Sequence, residues 1–260
     1  MGLDLIIVLF LIGFIGSFIS GMVGIGGSII KYPLLLYIPP LLGVGAFTAT
    51  EVAGISAVDV FFASLAGVLA FRKDGYLNKR LIITMGTVVL VGSFLGGYGS
   101  VLLSNTSINL VYAILASVAA ILMFSPRKGK ELGEEANIQI EFNHLLAVIS
   151  AFLVGIGAGI VGAAGAFLLV PIMLVLLKIP TRVTIASSLA ITFLSSIGST
   201  AGKIITGQVL FGPAGVMIVA SLIAAPMGAV TGKKIDTKVL KAILSLLILA
   251  TVIKIWVDII

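Results

Sequence analysis

The sequence has no cysteine and a single histidine, His144. Disulfides, thiolate metal sites and cysteine nucleophiles are therefore excluded, and no histidine-rich metal spacing exists. Charge is scarce too. Only 10% of residues are Asp, Glu, Lys or Arg, against about 25% in soluble domains. No Ser/His/Asp set appears, and no strained elbow of the kind a serine–lysine protease needs. No Gly-Lys-Ser/Thr follows a glycine cluster and no soluble βαβ pattern surrounds one, so P-loop and Rossmann readings fail. The chain is expected to be no enzyme and to use neither cofactor nor metal.

What fills the chain is apolar: 60% of its 260 residues are hydrophobic, and the mean hydropathy is +1.29. A water-soluble fold of this length cannot bury so much, so the solvent must be lipid. Apolar runs of about 20 residues, enough to cross a hydrocarbon core of about 30 Å, recur along the chain. Continuous runs such as Leu81 to Val91 argue against a barrel, which needs alternation. An all-α polytopic membrane protein follows. A net charge of +6 would suit nucleic acid, but the basic residues flank apolar spans, where they serve as interface anchors. No nucleic-acid partner is expected. The start, Met1-Gly2-Leu3-Asp4, lacks a basic region, and Ile6 stands where a myristoylation motif needs Ser or Thr. The first span is expected to remain in the mature protein.

In chain order, apolar segments are expected at residues 3 to 20, 27 to 38, 44 to 71, 79 to 100 and 107 to 124, with Pro39-Pro40 ending the second. A polar stretch with four glutamates follows. Five more segments lie at 143 to 161, 166 to 177, 183 to 205, 210 to 230 and 238 to 257. The organisation is a first transmembrane repeat over 1–125, a linker over 126–142 and a second repeat over 143–260. Gly21, Gly24, Gly27 and Pro33 precede Gly159, Gly162, Gly165 and Pro171 by 138 positions, and Gly92 and Gly96 precede Gly228 and Gly232 by 136.

Four loops hold 13 of the 16 basic residues and are expected to be cytoplasmic. They carry Arg72, Lys73, Lys79 and Arg80; Arg127, Lys128 and Lys130; Lys178 and Arg182; and Lys233, Lys234, Lys238 and Lys241. Threading the chain to satisfy them leaves the loop at 100 to 106 outside and its counterpart at 231 to 237 inside. The fold class expected is therefore an inverted repeat of two five-segment halves, each with a glycine-broken short helix hairpin. Both termini lie outside and the linker 126–142 is cytoplasmic. Inverted repeats of this kind are typical of secondary transporters.

Candidate binding residues sit where the apolar runs break. Gly24-Ile25-Gly26-Gly27-Ser28 opens a short helix whose unpaired N–H groups suit an anion, and Gly162 to Gly165 repeats the arrangement. Close packing through small residues is the alternative, and it is the reading for Gly92 with Gly96 and Gly228 with Gly232. Inverted symmetry would bring the two breaks toward one midplane cavity. Ser187 and Ser188 begin a polar face that continues through Thr192, Ser195, Ser199 and Lys203. Lys203 either faces a bound anion or snorkels to the interface. Glu51 and Asp59, the acids inside a span, relay protons or pair with Lys31 or Lys203. Thr50-Glu51 matches Ser187-Ser188 in the repeat, which sets Glu51 at the cavity. His144 and Trp256 are read as interfacial residues.

The pattern Gly21-x-x-Gly24-x-Gly26-Gly27 with Pro33, its echo Gly159-x-x-Gly162-x-x-Gly165 with Pro171, Ala186-Ser187-Ser188-Leu189, and Gly198 to Gly207-Gln208-Val209 resemble the sulfite exporter TauE/SafE family over nearly the whole chain. The resemblance implies a multi-pass inner-membrane permease for sulfite, sulfoacetate or related organosulfonate anions. On that reading the anion is held at Gly26, Gly27, Gly165 and Ala166, with hydroxyls of Ser28, Thr50, Ser187 and Ser188, charge from Lys203, and proton coupling through Glu51 or Asp59. The partners are a small sulfur-containing anion and membrane lipid, and a homo-oligomer fits as well as a monomer. An uptake permease or passive channel for another small anion, such as a carboxylate, is the alternative.

Overall fold

The computed structural model of the chain describes residues 1–24, 28–72, 75–124, 142–163 and 165–259. They form ten α-helices and, among the described residues, no strand. In order these are α1 (Leu3–Val23), α2 (Ser28–Leu41), α3 (Ala49–Phe71), α4 (Lys79–Gly99), α5 (Asn105–Phe124), α6 (His144–Val161), α7 (Ala166–Pro171), α8 (Thr181–Ile205), α9 (Phe211–Lys234) and α10 (Thr237–Ile259). Seven of them are long and apolar enough to cross a membrane: α1, α3, α4, α5, α6, α8 and α9. The chain is a polytopic helical membrane protein. The linker expected over 126–142 lies outside the described residues except for Phe142.

Local chemistry sets the boundaries. Asn78 and Asn143 accept hydrogen bonds from the N–H groups of Leu81 and Leu146, and Thr48 forms a capping box with Glu51. α1 and α6 end on Gly24 and Gly162 at φ 79° and 72°, a left-handed turn that glycine adopts without strain. Pro39 and Pro40 do not stop α2, contrary to expectation. Near the end of a helix a proline loses one N–H bond, but its carbonyl still accepts. Val44 donates to Pro39 and Gly43 to Pro40, each at 3.1 Å, so the helix runs on to Leu41. In the second half α7 passes at Pro171 into a π-helical turn, Ile172–Leu176, because Pro171 removes one rung of the hydrogen-bond ladder.

Small residues let the long helices touch backbone to backbone. α1 runs parallel to α9, with Gly13 against Met217 and Ala220, Gly228 against Phe18, and Gly232 against Met22. α6 runs parallel to α4 in the same manner, with Gly92 against Gly155, Gly96 against Ile156 and Gly159 against Ser93 and Gly97. α8 also lies parallel to α4, since Gly86 meets Leu194 and Gly202 meets Gly97. α3 lies parallel to α9, with Asp59 at Ser221 and Ala70 at Lys233. At the centre α3 and α8, the two most buried spans, pack antiparallel. Ala57 meets Thr200, Phe61 meets Phe193 and Gly67 meets Leu189.

Arg80, Arg182 and Lys233 gather at one end of this bundle. Arg182 donates to the carbonyls of Gly232 and Ile235 at 2.9 Å, Lys233 to Ala70 at 2.6 Å, and Arg80 meets His144 at 2.6 Å. Arg182 and Lys233 sit on the C-terminal carbonyls of α9 and α3, where the helix dipole favours positive charge. Trp256 donates its indole N–H to Ser117 at 2.9 Å, tying α10 to α5.

Candidate functional site

The polar face expected on α8 is present and wholly buried: Ser187, Ser188, Thr192, Ser195, Ser199 and Lys203 are each 0% exposed. It connects the two glycine breaks. At one end Ser188 donates to the carbonyl of Gly24 at 2.7 Å, and Ser187 accepts from the N–H of Asn78 at 3.1 Å. At the other end Ser199 donates to the carbonyl of Gly159 at 3.4 Å. Beside it Lys203 donates to Ser100 at 2.8 Å and to Gln208 and the carbonyl of Ile160 at 2.9 Å. Lys203 does not snorkel. Its ammonium is held by three neutral oxygens, one of them at the C-terminal end of α6, where the dipole is negative.

The interface of α3 and α8, the seam, carries open hydrogen-bonding capacity. Thr192 and Ser195 on α8 and Ser56 on α3 bury their hydroxyls with no partner. A buried hydroxyl without a partner costs about 1–3 kcal/mol, and native folds keep few of them. Thr192 and Ser195 lie midway along α8, and Ser56 lies one turn beyond Ala53, beside the Gly162 break.

The structure does not bring the two glycine breaks to one midplane cavity. Gly24 lies against Ile185 near the start of α8, and Gly162 lies against Ala53 near the start of α3. Because these helices are antiparallel, the breaks sit at opposite ends of the pair, about 18 residues or roughly 27 Å apart along it. Gly26 and Gly27 lie outside the described residues, as does the side chain of Ser28, which begins α2. Gly165 caps α7 at φ 70° and Ala166 is the buried first residue of that helix. Thr50 is spoken for by Asn105, which accepts from its hydroxyl at 2.9 Å and its N–H at 3.0 Å.

Glu51 is not at the seam. Its carboxylate accepts from the N–H of Thr48 at 2.8 Å, closing the cap of α3. Equating Thr50-Glu51 with Ser187-Ser188 fails because the repeat spacing changes along the chain. The packing pairs Ala53 with Ile185 as equivalents and puts Phe61 on Phe193, 5.2 Å between ring centroids. Both pairs are offset by 132. The first half uses residues 28–48 between its break and its central helix, whereas the second half needs only 166–180. In the structural register Ser188 answers to Ser56 and Ser196 to Ser64.

Asp59 is paired with Lys31, one of the alternatives raised by the sequence. The ammonium lies 2.5 Å from the carboxylate, with both side chains 0% exposed. Lys31 also donates to Ser17 at 2.5 Å, Ser17 donates to Ser221 at 2.6 Å, and Ser221 donates to Asp59. The ring joins α1, α2, α3 and α9. Composition gave no sign of Ser17 and Ser221, which look like ordinary membrane serines. In the structure Gly16 makes room for the lysine, because a side chain there would meet the stem of Lys31, whose Cε lies 2.9 Å from the Cβ position. Gly16→Ala is expected to push the lysine off its partner and to cost about 1–3 kcal/mol, visible as a lowered midpoint in thermal unfolding of the purified protein.

A buried polar strip on broken and antiparallel membrane helices defines a polytopic membrane transporter. The chain belongs to the sulfite exporter TauE/SafE family, whose sequence model matches residues 9–255. It is 26% identical over 259 residues to the probable membrane transporter protein YunE of Bacillus subtilis strain 168, covering 94% of both chains. A probable membrane transporter protein of Xylella fastidiosa strain 9a5c is 30% identical over 177 residues, 68% of this chain and 65% of its own. One from Methanocaldococcus jannaschii, MJ0441, is 27% identical over 247 residues, 91% of this chain and 90% of its own. No solved structure matches.

Proposed function

We propose that the chain exports a small sulfur oxyanion or sulfonate, such as sulfite or sulfoacetate, by proton-coupled alternating access, with the α3–α8 seam as its path. The observation that carries this is the set of unpartnered buried hydroxyls, Ser56, Thr192 and Ser195, lying on the two central helices, one of which also holds the Lys203 ammonium. Hydroxyls left without acceptors are satisfied by a guest rich in acceptor oxygens, and a buried cation held only by neutral groups favours a guest with negative charge. Two inverted halves supply the moving parts. Support for inversion comes from the opposite run of counterparts: α1 against α6, α3 against α8, and α4 against α9. The glycine breaks then act in turn, one at each end of the seam, with Ser187 and Ser188 at the first and Lys203, Gly165 and Ala166 at the second. The basic end, with Lys79, Arg80, Arg182 and Lys233, faces the cytoplasm of the inner membrane, and both termini lie outside.

Replacing two seam hydroxyls together, Thr192→Val with Ser195→Ala, is expected to weaken sulfite or sulfoacetate binding at least about tenfold while leaving thermal stability unchanged or raised, since neither hydroxyl has a partner to lose. Ligand-induced thermal shifts with sulfite, sulfoacetate and acetate measure this. Equal shifts in parent and variant would remove the seam from the site, and a shift with acetate alone would move the substrate to the carboxylates.

A further inference from the structure

The ring formed by Lys31, Asp59, Ser221 and Ser17 has a fixed proton polarity, and that polarity makes it a switch. Lys31 can only donate, and it gives hydrogen bonds to Asp59 and Ser17. Ser17 passes the direction on to Ser221, which donates to the second oxygen of Asp59. The carboxylate therefore accepts at both oxygens. A proton added to Asp59 turns one oxygen into a donor. If it points at Ser221, that hydroxyl turns its own hydrogen toward Ser17, which can still accept from Lys31, but the ammonium, which also reaches Ser221 at 3.3 Å, is left with neutral oxygens in place of a counter-charge. If it points at Lys31, two donors face each other directly. Either way a wholly buried ammonium loses the charge that compensated its burial, which favours its departure from the ring.

We propose that Asp59 is the proton-coupling site of this transporter, and that its protonation releases Lys31 and, with it, the short helix α2 behind the first glycine break. The inference deepens the transport reading and rests on it for the word coupling. The step balances simply: one proton moves from solution to a carboxylate oxygen, an ion pair becomes a carboxylic acid, and the freed ammonium needs a new anionic or hydrated neighbour. Asp59 lies on the side of α3 turned to α1 and α9, away from the contacts that Ala57, Phe61 and Gly67 make with α8. Release of Lys31 therefore loosens α3 from behind while the anion occupies the seam in front. Only the side of α2 that faces α1, α3 and α9 is set free, because its other face stays tied to α5: Tyr112 donates to the carbonyl of Ile29 at 2.6 Å, and Tyr32 stacks on Tyr112 with centroids 4.4 Å apart.

Lys31 is the charged group that meets Asp59. α1 brings Ser17, its acid Asp4 being at the exposed start. α9 brings Ser221, with Lys233 and Lys234 at its far end. α8 brings Arg182 and Lys203 only near its termini, both engaged elsewhere. α5 brings Tyr112, and α6 has His144 at its first turn beside Arg80. The equivalent positions in the second half are Leu169 and Ile191, so the pair occurs once and one proton moves per cycle.

Two measurements on the full-length protein test this. The first is amide hydrogen exchange over α2, corrected for intrinsic rates. In the parent protein α2 should exchange about tenfold faster at the acid end of the range over which the protein stays folded than at pH 8, whereas Asp59→Asn should exchange fast at both. The second is uptake of radiolabelled sulfoacetate into proteoliposomes. An imposed pH gradient should drive accumulation by the parent protein but not by Asp59→Asn, whose exchange of internal for external sulfoacetate should persist. Asp59→Asn that still follows the gradient overturns the proposal. So does parent α2 exchange that ignores pH, which decides the matter if the variant does not fold. If the parent protein moves no sulfoacetate, the transport reading is what has failed, and the pH response of α2 still judges the switch.

Discussion

Lys31→Met is expected to destabilise the protein by about 3–5 kcal/mol, the usual cost of removing one partner from a fully buried ion pair. The variant leaves the carboxylate of Asp59 at bilayer depth with only Ser221 to donate to it. Much of the loss should return in the double variant Lys31→Met with Asp59→Asn, because two neutral side chains no longer leave a charge unanswered. Thermal unfolding of the three proteins in one detergent measures this. A single variant as stable as the parent would mean that water reaches Asp59, and that the burial of this ring is not maintained in solution.

The second large effect is expected at Lys203. Lys203→Met keeps the length and apolar stem of the side chain and removes the charge. A unit charge about 8 Å from a bound anion, at an effective dielectric near 20, contributes about 2 kcal/mol, so anion affinity should fall roughly 30-fold. Lys203→Arg should keep most of the affinity, because on the proposed function charge rather than shape holds the anion, although its planar fork fits the three acceptors less well. Part of the damage in the methionine variant is structural, since the carbonyl of Ile160 and the side chain of Gln208 lose their donor. The arginine variant separates the two contributions. Equal binding by parent and methionine variant would take Lys203 out of the site.

The sequence disclosed the helices, because apolar runs, asparagine caps and glycine stops act within a few residues of the boundaries they set. It also disclosed the polar face of α8, since hydroxyls and a lysine recurring at helical spacing in an apolar span must share one side of the helix. It did not disclose how the two halves mesh. One offset of 138 described the glycine breaks, yet the central helices obey 132, and the six-residue difference lies in a longer α2 and a longer loop before Thr48. That slip assigned Glu51 to a cavity when its carboxylate caps a helix. An intramembrane carboxylate draws suspicion, but closing a Thr-x-x-Glu cap is an equally good use for it. The ring around Lys31 was legible only in fragments, since Ser17, Lys31, Asp59 and Ser221 come from four helices, and no local pattern relates them.

Placing the breaks at opposite ends also changes how the halves are expected to work. A single midplane pocket would need both amide-rich turns at once. Two turns about 27 Å apart along antiparallel helices suit a guest that meets them in succession, with hydroxyls of Ser188, Thr192, Ser195 and Ser199 in between.

The most direct test of that path is uptake of radiolabelled sulfite and sulfoacetate into proteoliposomes holding either the parent protein or the Thr192→Val, Ser195→Ala variant. Saturable uptake by the parent, competed by the other sulfur anion but not by acetate, and cut about tenfold or more in the variant is the result predicted. Uptake that is the same in both proteins, or no greater than in empty vesicles, contradicts it.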